Sequence, residues 1–282
     1  MAEIHQFNHA AMATHFQARI TGEERTYAAQ TAHAAFDLVD SLESTLSRFR
    51  IDSDIARIGD LEPGEKMRLS EPAFACLQIA KRMDEATHGA FCPTPGALKT
   101  QASLPQWSLL RDEHSILCIK GRLEFDLGAI GKGFALDRMA ELLRQWDCPS
   151  FLLVGGGSSI LAGDPPPDTP GWSCGLGEDN ASQRFFLSHS SLSGSGVAVK
   201  GAHVLDPRTG APALRQNRAW VLADTASESD ALSTACMVLG EPELKEVMAQ
   251  NDTWLAFLET DQSARSIGRR VPPIEAHGCR DR

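Results

Sequence analysis

FDLGAIGKGFALD, residues 125–137, is a glycine-rich segment that leads from a predicted strand into a predicted helix. Its glycines allow backbone amides to approach a ligand closely, and the N-terminus of the following helix favours an anionic group. Lys132 is placed to meet a phosphate, and Asp126 to accept a hydrogen bond from a base, a ribose or a ring edge. A tight turn with a solvated lysine is the alternative, since the spacing matches neither G-x-x-x-x-G-K-S/T nor G-x-G-x-x-G.

The segments around this one mix helical and extended patterns. Between Glu23 and Phe49, apolar residues recur at three- and four-residue steps, which predicts an amphipathic helix. Further helices are predicted at 72–89, 131–146, 228–239 and 242–250. Strands are predicted at 115–126, as a hairpin turning at Lys120-Gly121, and at 151–154, 172–176, 184–187, 218–223 and 253–258. Helices and strands that mix without strict alternation indicate an α+β fold rather than a doubly wound parallel sheet.

The chain has 282 residues, 42% of them hydrophobic, which is enough for one elaborate domain or two intimate ones. The proline-rich stretch GDPPPDTPGW (163–172) is predicted to be a surface loop, and it is where a seam between subdomains is expected. We predict a single domain over residues 1–258. The remaining residues, 259–282, are polar and charged and are predicted to form a poorly ordered tail.

Composition argues against several classes of function. The formal net charge of −10 disfavours binding to nucleic acid or to an anionic membrane surface, because both need clustered cations. No apolar run approaches the ~18 residues of a membrane span. The first twenty residues lack the pattern of a secretory signal, so a cytoplasmic protein is expected. The 7 cysteines include no C-x-x-C pair, which argues against a disulfide framework or a thiolate zinc site and favours buried thiols.

GAHVLDPRTGAP (201–212) combines a turn with a histidine. Asp-Pro followed by Thr-Gly forms the turn, with Arg208 at its tip. His203 precedes it and either positions or deprotonates a nucleophile, or serves as a structural histidine. The segments VGGGSSI (154–160) and SLSGSG (191–196) are loops that line a site or simply turn sharply.

SESDALSTACMVLG, residues 227–240, carries a set of hard oxygen ligands. Helical spacing places the oxygens of Asp230, Ser233 and Thr234 on one face. A carboxylate, hydroxyls and a nearby backbone carbonyl suit Mg²⁺. The alternative is a capped helix in which Ser227 and Asp230 form a variant capping box and the threonine bonds the preceding turn.

Taken in chain order, these segments resemble the ApbE-type FAD:protein FMN transferases. The family pattern A-M-G-T followed by a strand corresponds to AMATHFQARI (11–20), and D-L-G-G-I-x-K-G-Y-A-x-D corresponds to DLGAIGKGFALD (126–137). The other matching segments are LSRFRIDSDIARI (46–58), GAFCPTPGAL (89–98), VGGGSSI (154–160), SLSGSG (191–196), HVLDPRTG (203–210) and SDALSTA (229–235). Each motif alone is unspecific, but their shared order over residues 10–258 is specific.

The resemblance implies an ApbE-like α+β domain with mixed or antiparallel sheets, flanking helices, and FAD and a metal site between subregions. It implies Mg²⁺-dependent cleavage of FAD, in which the FMN phosphoryl group passes to a threonine of a target flavoprotein and AMP leaves. The residues it implies for FAD contact are Met12, Phe49, Asp126, Lys132, His203 and Val204. The metal positions it implies are the Ala129 carbonyl, Asp230, Ser233 and Thr234. The catalytic residues it implies are Asp230 and His203, the latter as base or orienter for the threonine hydroxyl.

Four positions depart from the family pattern. Ala13 stands where A-M-G-T has glycine, and its methyl is expected to crowd the flavin or reshape the turn. Cys92 stands where F-D-P-T has aspartate, and Ser159 where G-G-D-I has aspartate. Ser233 stands where many relatives carry a second acid beside the metal-binding threonine. Three missing carboxylates are expected to weaken metal affinity, because affinity for a hard cation follows the charge of its ligands.

Two alternatives to the transferase stay open from the sequence. A metal-dependent FAD pyrophosphatase would release FMN and AMP by hydrolysis, with no acceptor. A non-catalytic FAD-binding relative is the other alternative, and the lost carboxylates favour it. Many family members are exported lipoproteins with a signal and a lipidated cysteine, and the lack of both patterns here supports the expected cytoplasmic location.

Overall fold

The computed structural model describes residues 3–96, 104–176, 184–196, 205–211, 215–260 and 264–270. In this part of the chain the helices are α1 (Arg25–Leu46), α2 (Asp54–Ile58), α3 (Glu71–Ala86), α4 (Gly131–Gln145), α5 (Ala226–Cys236) and α6 (Glu241–Met248). The strands are β1 (Ile4–Ala11), β2 (Thr14–Thr21), β3 (Lys66–Arg68), β4 (Gln106–Leu110), β5 (Ser115–Lys120), β6 (Phe151–Gly155), β7 (Ser159–Ala162), β8 (Trp172–Gly175), β9 (Arg184–Leu187), β10 (Ser190–Gly196), β11 (Arg218–Ala223), β12 (Leu255–Glu259) and β13 (Ala264–Gly268).

An antiparallel sheet of eight strands organises the molecule. Its order is β1-β2-β6-β7-β10-β11-β12-β13, and a three-stranded sheet, β3-β5-β4, and a two-stranded sheet, β8-β9, complete the described strands. Every neighbouring pair in these sheets is antiparallel. The predicted α+β class, with flanking helices, is therefore confirmed.

Both faces of the large sheet are covered, as the alternation along β11 demonstrates. Ala219, Val221 and Ala223 belong to the main core, which includes the apolar faces of the helices, whereas Leu222 belongs to a second core. The second core also contains Trp172 and other apolar residues of β8 and β9, so the small sheet covers the opposite face. Successive strand residues point to opposite faces, so β11 can be buried on both sides.

The periodic helices form where the sequence predicts them. In α1 the apolar stripe is fully buried, from Ala28 through Val39 to Leu46. Helix α3 begins at Glu71, beside the predicted start at Pro72. None of the described helices is long and apolar enough to cross a membrane.

The predicted hairpin at 115–126 is wrong. Its first half is β5, but β5 pairs with β4 on one side and with β3 on the other. The residues after Gly121 are not in a strand. The sequence at 115–120 predicts a strand but does not specify which distant segment pairs with it. The prediction of a local turn at Gly121 therefore chose the wrong partner strand.

The two ends of the large sheet also differ from the prediction. Residues 264–268 form β13, which pairs with β12, so this part of the predicted tail at 259–282 is an edge strand. At the other edge, β1 precedes the predicted strand at 11–20 and pairs with β2. Apolar residues follow no regular alternation in either edge strand, and most residues of both strands are exposed or partly exposed, so hydrophobic patterning does not reveal them.

Candidate functional site

A cavity of about 300 Å³ lies where three chain segments meet, and we call it the cleft. Its lining comes from residues 12–13, 43–49 and 126–132. Four of the residues expected to contact FAD are in that lining: Met12, Phe49, Asp126 and Lys132. The volume is at the lower end of the ~300–1,000 Å³ of small-molecule sites. The structure thus brings together four residues that are far apart in the sequence.

Met12 and Ala13 form the two-residue turn between β1 and β2. Their φ angles are 51° and 56°, and Ala11 faces Thr14 across the pair of strands. Positive φ at both positions is the type I′ geometry that favours glycine and asparagine. The backbone N–H of Met12 donates to Glu43 Oε2 at 2.7 Å and ties the turn to α1. The A-M-A-T sequence therefore keeps the turn and places Ala13 in strained backbone.

Arg48 and Asp126 bridge the cleft. Arg48 Nη1 lies 3.2 Å from Asp126 Oδ2, and its guanidinium stands 4.7 Å from the centre of the Phe49 ring. Asp126 Oδ1 accepts from the Gly128 N–H at 2.9 Å, which fixes the glycine-rich turn. Phe49 itself is 84% exposed, so its ring is open to a stacking ligand. Sequence reasoning did not single out Arg48, because the pairing with Asp126 joins segments that only the fold brings together.

Lys132 connects the cleft to Asp230. Its Nζ lies 3.4 Å from the Gly128 carbonyl oxygen and 3.5 Å from Asp230 Oδ2. The same Oδ2 accepts from the Gly133 N–H at 3.2 Å, and Oδ1 accepts from Ser159 Oγ at 3.3 Å. Asp230 is 3% exposed, so this carboxylate is held from both sides in a buried position.

Hydroxyls of β10 and α5 continue the polar site beneath Asp230. Ser233 Oγ donates to the Asp230 carbonyl oxygen at 2.9 Å and lies 3.0 Å from Ser195 Oγ. Ser195 Oγ is also 3.3 Å from Thr234 Oγ1. Ser195 thus brings a further hydroxyl beside Ser233 and Thr234. It lies in β10, so the prediction of a loop at 191–196 is wrong.

Helix α5 is capped differently from the prediction. Its N-cap is Thr225, whose side chain accepts from the Glu228 N–H, so the variant capping box of Ser227 and Asp230 is wrong. Asp137 on α4 instead accepts from the N–H groups of Ala226 and Ser227, at 2.7 and 2.9 Å. A carboxylate from another helix satisfies the free amides here, and tertiary contacts of this kind leave no local sequence signal.

The turn that contains Arg208 is an anchored structure. Arg208 donates to Asp206 through Nε and Nη2, at 2.9 and 2.7 Å, and to Glu243 Oε1 through Nη1 at 2.6 Å. The hydrogen bonds from Arg208 hold the pKa of Asp206 below its usual range, and Asp206 in turn raises the pKa of Arg208. His203 and Val204 lie outside the described residues, just before this turn.

The departures Cys92 and Ser159 are both buried. Cys92 Sγ lies 3.6 Å from Thr94 Oγ1, and burial raises the pKa of the Cys92 thiol. All described cysteines are free and buried, as predicted.

Across the described ranges there is no group of three or more His, Cys, Asp or Glu side chains that could hold a metal ion. Ala129 lies on the turn before α4, and the role of its carbonyl as a metal ligand stays a prediction.

Comparison with known proteins gives consistent results. A model of the ApbE family matches residues 12–258. The FAD:protein FMN transferase of Escherichia coli (strain K12) is 24% identical over 278 residues, which cover 84% of this chain and 79% of that protein. The FAD:protein FMN transferase of Treponema pallidum (strain Nichols) is 24% identical over 291 residues, covering 85% of this chain and 80% of that protein.

Solved structures with a similar fold include a flavin transferase ApbE from Vibrio cholerae. Its TM-score is 0.81 at 19% identity, covering 97% of this chain and 100% of that one. The ApbE protein from Thermotoga maritima gives a TM-score of 0.78 at 21% identity, covering 94% and 97%. At these identities the likeness establishes the fold alone.

Proposed function

This chain belongs to the ApbE family, and on that premise we propose that it is an FAD:protein FMN transferase. It cleaves the pyrophosphate of FAD, attaches FMN through its phosphate to a threonine of a target flavoprotein, and releases AMP. Curated relatives with this name match over most of their length. The observation that carries the proposal is the position of Lys132, which lines the cleft and reaches the buried Asp230.

The cleft supplies the groups that FAD binding requires. Met12 and the exposed Phe49 offer apolar contacts for the flavin ring system, and Asp126 offers carboxylate oxygens beside it. Gly131 lines the cleft as the first residue of α4. The N-terminus of that helix favours a phosphate, as does the Lys132 ammonium. We assign His203 and Val204, just ahead of the anchored Arg208 turn, to the same ligand.

The residues present fit a magnesium ion. Mg²⁺ is held in proteins by one or two carboxylates together with waters and substrate phosphates rather than by a complete protein cage. Asp230 supplies one buried carboxylate, and the hydroxyls of Ser233 and Thr234 lie on the same helix. In our proposal Asp230 and Thr234 hold the ion with the Ala129 carbonyl, and Ser233 supports them. The bound ion would supply positive charge to the pyrophosphate as charge develops on it.

The residues of this chain align the threonine hydroxyl with the FMN phosphorus and neutralise charge on the phosphoryl oxygens. Little more is needed, because phosphoryl transfer requires little covalent work from the enzyme. The threonine Oγ forms a bond to the FMN phosphorus while the bond from that phosphorus to the AMP oxygen breaks. His203 accepts the proton of the threonine hydroxyl. Lys132 and the N-terminus of α4 offset the negative charge on the phosphoryl oxygens.

Hydrolysis and a purely binding role are the other candidate functions, and one feature of this chain favours the binding role. Cys92, Ser159 and Ser233 stand where the family pattern has acids. Two of them, Ser159 and Ser233, contact Asp230, so the surroundings of this carboxylate carry less negative charge toward a cation. A pyrophosphatase would pass the FMN phosphoryl group to water rather than to threonine. A non-catalytic relative would bind FAD and leave it intact.

Incubation of the purified chain with FAD and Mg²⁺, with and without a threonine-bearing acceptor domain, tests the proposal. We expect AMP to appear with acceptor, together with a mass increase of the acceptor equal to one FMN moiety. Asp230→Ala is expected to abolish both signals. AMP without acceptor would establish the hydrolase, and intact bound FAD in both reactions would establish the non-catalytic relative.

A further inference from the structure

Lys132 occupies a position between two ligand sites. Its side chain is 21% exposed and lines the cleft, whereas Asp230, 3.5 Å from its Nζ, is almost fully buried. The Lys132 ammonium has three donors, and Gly128 O and Asp230 Oδ2 account for two directions. The same cation therefore faces an acid on one side and an open cavity on the other.

Asp230 depends on this cation for charge balance. In the described part of the chain its carboxylate also accepts from the Gly133 N–H and from Ser159 Oγ, and both of these donors are neutral. A buried carboxylate is costly without a counter-charge or a full set of donors. Because positions 159 and 233 are serine, Asp230 is the carboxylate whose charge Lys132 balances. The net charge of the Lys132–Asp230 pair is therefore close to zero.

We propose that Lys132 is an exchangeable counter-ion that couples binding of FAD to binding of the divalent cation. With the cleft free, Lys132 neutralises Asp230 and opposes a divalent cation there. With FAD bound, Lys132 turns to the pyrophosphate and leaves Asp230 available to the cation. This inference rests on the proposed function, because it takes FAD as the ligand of the cleft.

The surroundings of Lys132 permit the exchange. The lysine stem passes over the β6–β7 loop, where a Cβ built on Gly156 would lie 3.2 Å from Lys132 Cδ and 2.8 Å from Thr14 Oγ1. Gly156 has a φ of 62°, so glycine suits both the backbone and the space. An ammonium on a flexible four-carbon stem can change partners by rotation, without movement of the backbone.

Two binding measurements on the full chain separate the coupling from the activity. The first is titration with Mn²⁺ in the absence of nucleotide, followed by electron paramagnetic resonance. Lys132→Met is expected to bind Mn²⁺ about tenfold more tightly than the native chain, because an opposing charge beside Asp230 is gone. Lys132→Arg keeps the charge and is the matched control, with an affinity close to the native value.

The second measurement is FAD binding in metal-free buffer, followed by quenching of flavin fluorescence. Asp230→Asn is expected to bind FAD several-fold more tightly than the native chain, because Lys132 no longer has an anionic competitor for the pyrophosphate. Asn keeps the size of Asp, and its Oδ1 can accept from the Gly133 N–H while its Nδ2 donates to Ser159 Oγ, a hydroxyl that can act as donor or acceptor. This variant carries the test if Lys132→Met does not fold.

Each outcome has a distinct meaning. Mn²⁺ affinity in Lys132→Met at or below the native value, or metal-free FAD affinity in Asp230→Asn at or below it, overturns the coupling. In that case the proposed function stands as long as the native chain binds and cleaves FAD. Failure of the native chain to bind FAD with or without Mn²⁺ overturns the proposed function instead.

Discussion

Gly133→Ala perturbs the contact that joins α4 to α5 and so positions Asp230. A Cβ built on Gly133 would lie 2.1 Å from the Ala226 carbonyl oxygen and 2.8 Å from the Ser227 nitrogen. Comfortable contacts of this kind are at ~3.5 Å. Because both crowded atoms belong to the backbone, rotation of a side chain cannot relieve the clash, and the helices must separate by about 1 Å or more.

That separation weakens hydrogen bonds that cross between the two helices. Asp137 Oδ1 accepts from Ala226 N–H at 2.7 Å, and Asp230 Oδ2 accepts from Gly133 N–H at 3.2 Å. Overpacking costs ~1–3 kcal/mol, and loss of a hydrogen bond to a charged group costs ~1.5–3 kcal/mol. Alanine recovers up to ~1 kcal/mol of helix propensity. We expect the free energy of unfolding to fall by about 3 kcal/mol.

Urea denaturation followed by tryptophan fluorescence measures this loss. Gly131→Ala is the matched control, because it lies two residues away in α4 and its Cβ would meet Leu127 Cβ at an ordinary 3.9 Å. The control is expected to stay within ~1 kcal/mol of the native chain. Equal stability of the two alanine variants would refute the reasoning that Gly133 is required by the close approach of α5.

Three further changes probe the β1–β2 turn, the cap of α5 and a half-buried acid. Ala13→Gly relieves the positive φ of the β1–β2 turn and is expected to raise stability by ~0.5–1 kcal/mol in thermal unfolding. Asp137→Ala removes the acceptor for the free amides of α5 and is expected to cost ~1–3 kcal/mol in urea denaturation. Burial raises the pKa of Asp84 to about 6, above its ordinary value of 3.8, so ionisation destabilises the folded state and stability falls as the pH rises through 6. Asp84→Asn is therefore expected to stabilise the chain at pH 8 by ~1–2 kcal/mol, with the gain disappearing below about pH 4, in unfolding measured against pH.

Two of these changes have a matched control. Ala18→Gly, at a buried position of β2, should lose stability, and a gain there equal to that of Ala13→Gly would disprove a specific relief of the turn. Glu85→Gln, on the exposed side of α3, should show no comparable pH-dependent gain. Asp137→Ala with native stability would mean that the amides of α5 find other acceptors.

Helices α1, α3 and α4 were predictable because each buries an apolar stripe. The spacing of Ala28, Val39 and Leu46 is a local property, and their burial follows from it. Strand pairing is not local. The run at 115–120 predicts a strand, but its partner β4 is set by the fold, and the edge strands β1 and β13 carry polar residues that give no hydrophobic pattern.

The sequence motifs identified several residues of the candidate site, and to that extent the site was predictable. Phe49, Asp126 and Lys132 were identified in their segments, and the structure places them in one cleft. The partners that hold them were not predictable. The pairing of Arg48 with Asp126 joins different elements through tertiary packing, as do the other cross-element contacts at the site. The second glycine of G-K-G, Gly133, has a role that only the approach of α5 reveals.

In the function proposed for this chain, FMN moves from FAD to a threonine of another protein. The most direct measurement is mass spectrometry of an acceptor domain after incubation with the chain, FAD and Mg²⁺, with AMP measured in the same samples. We expect one FMN added per acceptor threonine, an equal amount of AMP, and neither product with Asp230→Ala. An unmodified acceptor beside free FMN and AMP, or beside intact FAD, would contradict it.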